Sequence, residues 1–320
     1  MGVTFYQSTD ASAPSLTGQV GSLIGVLDAC LVNGYGSQSA AGWTKPYSGT
    51  NLAVYKNGSG SNGLYLDVND NAPNNAREAR MRGYEAMTGT GTGTNPFPTT
   101  SQVATAHVCR KSTTADSTVR PWYLLADATV FYLFVDTGDV TSPNYSMGFA
   151  FGDFFSYTPS DVWNTMTIGR SAENVGTNNS ENLPLLVGSS ASILSTTSSG
   201  HFLARSFTAT VGSVQFCKHT SALAGPSTAN ITTGGTSAAL AYPNSASGGL
   251  EMAPIYVGHS SAVRGYLKGL WAPLHSQPLG HGDTFTGSGN MSGKSFKALN
   301  MTNSAGGNGQ IILETSNTWS

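Results

Sequence analysis

The clearest amphipathic segment of the chain lies near its start. Apolar residues recur there at three- and four-residue steps, which is the spacing of one helical face: Val20, Leu23, Ile24, Leu27 and Leu31. This pattern predicts one helix over residues 17–33, with Thr17 as its N-cap and Gly34 ending it in the left-handed conformation.

The same segment contains glycines that weaken it as a helix. Gly18, Gly21 and Gly25 each cost about 1 kcal/mol relative to alanine in a helix interior. Packing must therefore hold the helix in place. Because glycine also lets another backbone approach closely, we keep two interpretations. Either the helix covers a sheet of its own chain, or it docks on a neighbouring chain and makes the N-terminal half the docking side.

Beyond this segment the pattern becomes that of β-strands. Short runs rich in Tyr, Phe, Val and Thr are separated by clusters of Gly, Asn, Pro and Ser. The clearest runs are residues 52–56, 64–68, 122–126, 130–136, 201–211, 214–219 and 310–314. Asn57-Gly58 and Asn62-Gly63 are dipeptides of the kind that close tight hairpins. We predict a mainly β fold with antiparallel sheets in a sandwich, jelly-roll or barrel arrangement, one N-terminal helix and long Gly/Ser/Thr loops.

Polar stretches separate these runs. Residues 171–182 carry no aromatic side chain and are predicted to form a linker or a long surface loop. Residues 221–249 are predicted to form long loops or an extended arm, and residues 88–98 alternate Gly and Thr before Asn-Pro-Phe-Pro. The first stretch predicts a boundary between an N-terminal docking domain, residues 1–175, and a C-terminal β domain, residues 176–320.

Composition and charge narrow the classes of function. Only 10% of the 320 residues are charged, against about 25% in ordinary domains. Fifteen Lys and Arg against 17 Asp and Glu leave no basic surplus of the kind that binds nucleic acid. No run approaches the ~20 apolar residues of a membrane-spanning helix, and the start lacks the pattern of a secretory signal. We expect an ordered protein made in a cytosol, with neither nucleic acid nor membrane as a partner.

The cysteines are few and widely spaced. Cys30, Cys109 and Cys217 fit neither a disulfide framework nor a Cys-x-x-Cys metal site. We expect three buried thiols that are unpaired within one subunit and hold no metal, because a reducing cytosol prevents pairing during synthesis. A thiol that reaches the surface of a particle would still be able to link subunits after lysis.

One glycine-rich stretch superficially matches a phosphate-binding loop. Residues 287–295 (GSGNMSGKS) end on Gly-Lys-Ser, but four residues must separate the first glycine from the Gly-Lys pair. Here Gly289 leaves three and Gly287 leaves five. We therefore predict a glycine-rich turn before a strand at residues 294–300.

Two groups of residues carry the elements of metal or acid–base chemistry. His275, His281 and Asp283 lie close in sequence, but Pro278 and glycine neighbours indicate an irregular turn, and we predict a structural role.

His107 and Cys109 alternate onto one face of a strand, as a thiolate pair requires. No residue that would orient the histidine is identifiable, so a core position is predicted for both.

A glycosidase needs two carboxylates in a cleft, and three pairs of aspartates are close in sequence. They are Asp67 with Asp70, Asp136 with Asp139, and Asp153 with Asp161. We expect turn-like contexts in which each side chain bonds its own backbone. The sequence thus assigns no catalytic, cofactor-binding or metal-ligating residue, and we expect no enzyme activity and no cofactor.

Aromatic residues are the remaining feature. The tryptophans are Trp43, Trp122, Trp163, Trp271 and Trp319. Such rings fill cores and interfaces, where we expect most of them, but they also stack on sugars. Residues 143–163 are dense in aromatic side chains and glycine, and Tyr145, Tyr157 and Trp163 would form a sugar-stacking platform there.

Several segments of the chain resemble the sequences of a family of tailed-bacteriophage virion structural proteins. They are FYQSTDASAP (5–14), LIGVLDACLVNGYGSQSAAGWTKPYSGTNLAVY (23–55), NPFPT (95–99), KSTTADSTVRPWYLLAD (111–127), GLWAPLHSQPLGHGDTF (269–285) and GQIILETSNTW (309–319). The likeness spans most of the chain. It implies a particle component without implying a chemistry, and it carries over no functional residue.

The resemblance implies a non-enzymatic component of a virion exterior, made in the host cytoplasm. It would decorate the capsid or belong to the tail, neck or baseplate. Its partners would be major capsid or tail and neck proteins, together with further copies of itself. The alternative is a receptor- or glycan-binding adhesin with a host surface glycan as its partner. A surface depolymerase is the third reading.

Overall fold

The structure is a computed structural model that describes residues 2–138, 147–170, 200–211, 214–215, 217–219, 240–241, 248–259, 262–273, 275–276, 279–300 and 310–320. The strands are β1 (Thr4–Gln7), β2 (Thr44–Gly49), β3 (Leu52–Lys56), β4 (Tyr65–Asn69), β5 (Glu78–Gly89), β6 (Thr92–Phe97), β7 (His107–Arg110), β8 (Trp122–Ala126), β9 (Val130–Val135), β10 (Met147–Asp153), β11 (Phe155–Ser156), β12 (Thr165–Ile168), β13 (His201–Leu203), β14 (Val214–Gln215), β15 (Cys217–His219), β16 (Leu240–Ala241), β17 (Met252–His259), β18 (Ala262–Pro273), β19 (His275–Ser276), β20 (Thr284–Thr286), β21 (Ser295–Asn300) and β22 (Gln310–Glu314).

The strands form three principal antiparallel sheets. The central sheet has the order β1-β8-β9-β10-β12-β13-β14. The N-terminal sheet has the order β2-β3-β4-β5-β6, with β7 also paired to β5. The C-terminal sheet has the order β15-β17-β18-β22-β21-β20, with β11 paired to β18, and β16 forms a small parallel pair with β19. The prediction of a mainly β, antiparallel fold is confirmed.

The central sheet is buried on both faces. Residues of β9 alternate between two cores: Phe131, Leu133 and Val135 pack with the N-terminal sheet and the helix. Tyr132 and Phe134 pack with the C-terminal sheet. This arrangement explains why β9 reads VFYLFV without any polar residue, since a strand covered on both sides needs apolar side chains at every position.

The predicted helix is present but shorter. Helix α1 spans Ser22–Leu27 and continues as a π-helical turn over Asp28–Asn33. Thr17 is not its N-cap, and the prediction of the helix start was wrong. Gly21 takes that position with φ 78°, which only glycine adopts readily. The helical segment ends at Gly34, as predicted, with φ 76° but an extended ψ of 168° rather than the left-handed helical value.

The helix packs against its own chain. Its apolar face, including Leu23, Leu27 and Leu31, is fully buried in the core below the N-terminal sheet. At Gly18 a Cβ atom would lie 1.8 Å from the carbonyl oxygen of Thr114, so this glycine allows a close approach within the chain. The structure therefore favours the first interpretation of the helix, a cover for its own sheet. Among the residues that the structure describes, no helix is long and apolar enough to cross a membrane.

Several strand predictions are confirmed and others are not. Residues 52–56, 122–126 and 310–314 form β3, β8 and β22 with the predicted bounds. The run 201–211 was predicted too long, because only His201–Leu203 is a strand. The run 214–219 divides into β14 and β15, which belong to different sheets. The stretch 88–98 is part of a hairpin, since its residues end β5 and form β6.

The two Asn-Gly dipeptides do not close tight hairpins. Both lie in the loop of residues 57–64 between β3 and β4. The Asn57 side chain donates to the carbonyl of Thr129, and the Gly58 N–H donates to the carbonyl of Ala128 at 2.6 Å. The loop thus reaches across to the β8–β9 turn of the central sheet, and this contact overrides the local turn preference.

Strands from both sides of the predicted domain boundary share hydrogen bonds. In the central sheet β12 pairs with β13, and in the C-terminal sheet β18 pairs with β11. Residues 171–182 and most of 221–249 lie outside the described residues. The division into residues 1–175 and 176–320 stays a prediction.

Candidate functional site

The first predicted carboxylate pair does not meet. Asp67 lies inside β4, not in a turn, and accepts a hydrogen bond from the Gly91 N–H at 3.0 Å. Asp70 is fully buried, forms an ion pair with Lys111 and accepts the Leu23 N–H at 2.9 Å. The two carboxylates therefore have separate structural partners.

The second predicted pair is only half described. Asp136 accepts the Gly138 N–H at 2.9 Å, which is the turn bonding predicted for it. Asp139 lies outside the described residues.

The structure brings the third pair, Asp153 and Asp161, to the wall of one cleft. Asp153 is the last residue of β10, not a turn residue, and accepts bonds from the Asn62 N–H at 2.7 Å and the Thr165 hydroxyl. Burial raises the pKa of Asp153 and outweighs these bonds. Asp161 accepts the Trp163 N–H at 2.9 Å, as predicted for a turn aspartate.

His107 and Cys109 occupy core positions, as predicted. Both are fully buried on β7. The His107 Nε2 atom lies 3.0 Å from the Thr167 hydroxyl, and its ring contacts the edge of Phe149. Burial lowers the pKa of His107 to about 3, so the imidazole is neutral at neutral pH.

Two members of the remaining histidine group, His281 and Asp283, lie outside any strand in the segment before β20. Asp283 accepts the Gly280 N–H at 2.7 Å, which is a structural bond of the predicted kind. Burial, helped by the charge of Lys297, lowers the pKa of His281. His275 lies on β19, and its side chain is outside the described part of the structure. Across the described ranges, no group of three or more His, Cys, Asp or Glu side chains is placed to hold a metal ion.

The Gly-Lys-Ser stretch forms a turn, as predicted. A short 3-10 segment spans Gly289–Met291, and β21 begins at Ser295. The Lys294 ammonium lies 3.1 Å from the Glu314 carboxylate and 2.6 Å from the Thr318 carbonyl oxygen. This lysine therefore serves a local ion pair instead of pointing into a loop of backbone amides.

Most of the tryptophans belong to the interior. Trp43 and Trp122 are buried between the central and N-terminal sheets. Trp271 lies in a small cluster on the C-terminal sheet, and the half-buried Trp319 meets Tyr132 with ring centroids 6.3 Å apart.

The predicted sugar-stacking residues differ in how far their rings are exposed to solvent. The Arg205 guanidinium lies 3.7 Å from the ring centroid of Trp163 and covers one face of it. Tyr157 is 52% exposed. Tyr145 lies outside the described residues. Of the two described residues, Tyr157 is thus the well exposed ring and Trp163 is half-buried.

Tyr157 belongs to a cluster that we name the aromatic surface, formed by Phe155, Tyr157 and Tyr266. The rings of Phe155 and Tyr266 are stacked, with centroids 4.7 Å apart, and Tyr157 meets Phe155 edge-on at 5.8 Å. Phe155 is 45% exposed. Their proximity follows from the β11–β18 register, in which Phe155 is opposite Tyr266. The sequence pattern does not indicate Phe155 and Tyr266 as a pair, because β11 is only two residues long and β18 lacks a clear strand pattern.

A buried ion pair holds the aromatic surface in place. The Arg264 guanidinium donates to both oxygens of Asp161, at 3.0 Å and 2.9 Å, and both side chains are almost completely buried. The Ser156 hydroxyl also donates to Asp161 at 2.7 Å, and the Tyr157 N–H donates to the Arg264 carbonyl at 2.8 Å. These bonds tie the segment after β11 to β18 and fix the rings on a rigid frame.

A polar cleft of about 310 Å³ adjoins the aromatic surface. Phe155 forms part of its wall, and its polar lining includes Asn62, Asp153, Asn164 and Lys268. Amide, carboxylate and ammonium groups beside an exposed ring are the combination that sugar hydroxyls and sugar faces can use. The chain matches no family model and no curated protein, so the comparisons with known proteins assign it to no family.

Proposed function

We propose that the protein is a non-enzymatic structural component of the exterior of a tailed-phage virion, where it decorates the capsid or belongs to the tail, neck or baseplate. The resemblance of several sequence segments, from residues 5–14 to residues 309–319, to virion structural proteins motivates the proposal. The partners would be capsid or tail proteins and further copies of the chain.

The observation that carries the proposal is the exposed apolar character around the aromatic surface. Phe155 and Tyr157, whose rings meet edge-on, are 45% and 52% exposed. Val162 and Val263, which directly follow Asp161 and precede Arg264 in sequence, are 57% and 52% exposed. Clustered exposed apolar residues mark interaction sites, and aromatic side chains are enriched in interfaces.

The use of the carboxylates also supports a non-enzymatic role. Asp70 forms a buried ion pair with Lys111, and Asp161 forms one with Arg264. Asp153 accepts bonds from three neighbours. A general acid or base needs a carboxyl group that is free to reach a substrate proton, and these groups instead stabilise the framework.

Cryo-EM of the intact particle tests the proposal. We expect density for the chain at all symmetry-related copies of one site on the particle. The aromatic surface should be buried there against a neighbouring protein. Recovery of the chain only from the lysate of infected cells would overturn the proposal.

An incorporation assay sharpens the test. We expect Phe155→Ser with Tyr157→Ser to reduce the copies per purified particle at least tenfold. The control Val119→Ser removes a 56% exposed apolar residue from the loop between β7 and β8 and should incorporate normally. Normal incorporation of the double variant would show that this surface is not the contact.

The cleft beside the rings favours a second candidate, a glycan-binding adhesin. In that case Tyr157 and Phe155 would stay exposed on the particle and stack on a host sugar, with Asn62 and Asn164 bonding its hydroxyls. Glycan-array binding that Tyr157→Ala abolishes would support this candidate. Trp163→Ala is the informative comparison, because its ring is already covered by Arg205 and should matter less.

A further inference from the structure

A second cavity, of about 590 Å³, lies on the outer face of the N-terminal sheet. Its floor is polar because β4 and β5 alternate: Leu66, Val68 and Met81 point into the core, whereas their neighbours point outward. The outward residues and the adjoining loops line the cavity: Asp67, Asn69, Pro73, Asn74, Arg80, Arg82, Tyr84, Ala104, Thr105 and Ala106.

Arg82 is the unusual member of this lining. Its side chain is only 7% exposed, yet it forms no salt bridge with any carboxylate of the described residues. Its Nη2 group donates to the carbonyl oxygens of Val103 and Ala104. Its Nε–H is buried and has no hydrogen-bond acceptor.

A buried guanidinium in this state is energetically costly. Buried charges in proteins are normally paired with an opposite charge, and buried donors normally have an acceptor. The cross-strand neighbour Asp67 gives its carboxylate to the Gly91 N–H. Arg80, two residues along the same face, lies 3.6 Å from Glu78. Asp67 lies opposite Arg82 in the register and the two charges interact, but they form no salt bridge. The cavity therefore contains a guanidinium without a close ionic partner, and an anionic group from outside would supply one.

The rest of the lining is suited to a hydroxylated ligand. Asn69, Asn74 and Thr105 offer amide and hydroxyl groups, and Tyr84 adds a half-buried ring. The cavity volume lies within the range of small-molecule sites, about 300–1,000 Å³. Carboxylate and phosphate are the two groups whose geometry best fits the arginine side chain. The neutral polar neighbours match sugar hydroxyls.

We propose that this cavity binds an acidic sugar, with the sugar carboxylate pairing with the Arg82 guanidinium and the sugar hydroxyls bonding to Asn69, Asn74 and Thr105. This site is separate from the aromatic surface and does not depend on the proposed virion role. It can be tested on the purified protein alone.

Titration calorimetry with D-galacturonate and D-glucuronate, against D-galactose and D-glucose at equal ionic strength, tests the proposal. We expect at least one uronate to bind at least tenfold more tightly than its neutral counterpart. Equal binding of the matched neutral sugar, or no binding of either uronate, would overturn it. Acetate or inorganic phosphate binding as tightly as the better uronate would overturn the assignment to a sugar.

Variants and a direct spectroscopic signal locate the site. Arg82→Lys keeps the charge but lacks the planar guanidinium that pairs with a carboxylate, and should weaken uronate binding at least tenfold. Lys45→Met, which removes a cation from a pair with Asp28 elsewhere, should leave binding unchanged. In the wild type, uronate should shift the ¹H–¹⁵N resonance of the Arg82 Nε–H. An unshifted resonance would overturn the site even if Arg82→Lys failed to fold.

Discussion

Asp70 and Lys111 form an ion pair whose two side chains are completely buried. The same Asp70 carboxylate accepts the Leu23 N–H at the start of α1, and the Lys111 ammonium also donates to the Gln19 carbonyl. One pair thus joins the end of β4, the segment after β7 and the entry of the helix. It replaces the side-chain N-cap that the helix lacks.

Removal of Lys111 should be strongly destabilising. In Lys111→Met the Asp70 carboxylate would remain buried without its partner, and we expect a loss of about 3–5 kcal/mol in the free energy of unfolding. Lys45→Met is the matched control, because its pair with Asp28 is partly exposed and is worth about 1 kcal/mol or less. Urea denaturation of both variants measures the difference. Similar losses would contradict the importance of the buried pair.

His107 should make the fold sensitive to mild acid. Its pKa is about 3 in the folded chain and near its ordinary value of 6.5 in the unfolded chain. Between these values only the unfolded state takes up the proton, so stability is present above pH 6.5 and falls as the pH is lowered. The slope should reach about 1.4 kcal/mol per pH unit. Denaturation of the wild type and His107→Gln between pH 4 and 7 measures it, and equal slopes would contradict the assignment.

Gly265 should be intolerant of any side chain. A Cβ atom there would lie 1.7 Å from the Phe155 carbonyl oxygen, so Gly265→Ala must separate β11 from β18. We expect a loss of roughly 1–3 kcal/mol or more, as in overpacked cores, together with a displaced aromatic surface. Gly89→Ala meets no atom within 4 Å and is the control. Thermal unfolding compares the two, and equal stability would count against the β11–β18 contact.

Two of the three thiols should be protected in the native state. Cys30 and Cys109 are buried thiols, while the side chain of Cys217 lies outside the described residues. We expect neither Cys30 nor Cys109 to react with a thiol reagent until the protein is unfolded. Non-reducing electrophoresis should show no intrachain bond. A reducible ladder from purified virions would instead identify one cysteine as a link between subunits.

Deletion of residues 1–34 should prevent folding. The segment contributes β1 to the central sheet and buries Leu23, Val26 and Leu27 in the core. Circular dichroism and proteolysis of the truncated chain test this expectation. A folded truncated protein that fails only to enter particles would restore the interpretation of the helix as a docking element.

Local pattern predicted the class of fold and several strands, and contacts between distant segments decided the rest. β3, β8 and β22 follow from their apolar and β-branched residues. β5 could not be predicted in the same way, because Glu78, Arg80 and Arg82 are charged residues that other segments cover.

The candidate sites, too, could be predicted from the sequence only in part. Tyr157 was predicted from the density of aromatic residues, but its partner Tyr266 lies more than a hundred residues further along the chain. Arg82 gives no signal in sequence, because its missing salt bridge is a property of the folded environment alone.

The coverage of the central sheet on both faces determines how the protein unfolds. Each outer sheet rests on a face of the same central sheet, and β8, β9 and β10 each supply side chains to both cores. Neither core can be opened by solvent while the other keeps its shape, because exposing one face of β9 disturbs the strand that supports the opposite layer. Unfolding of the three layers should accordingly be a single cooperative event, with no partly melted species in which one outer layer has been lost.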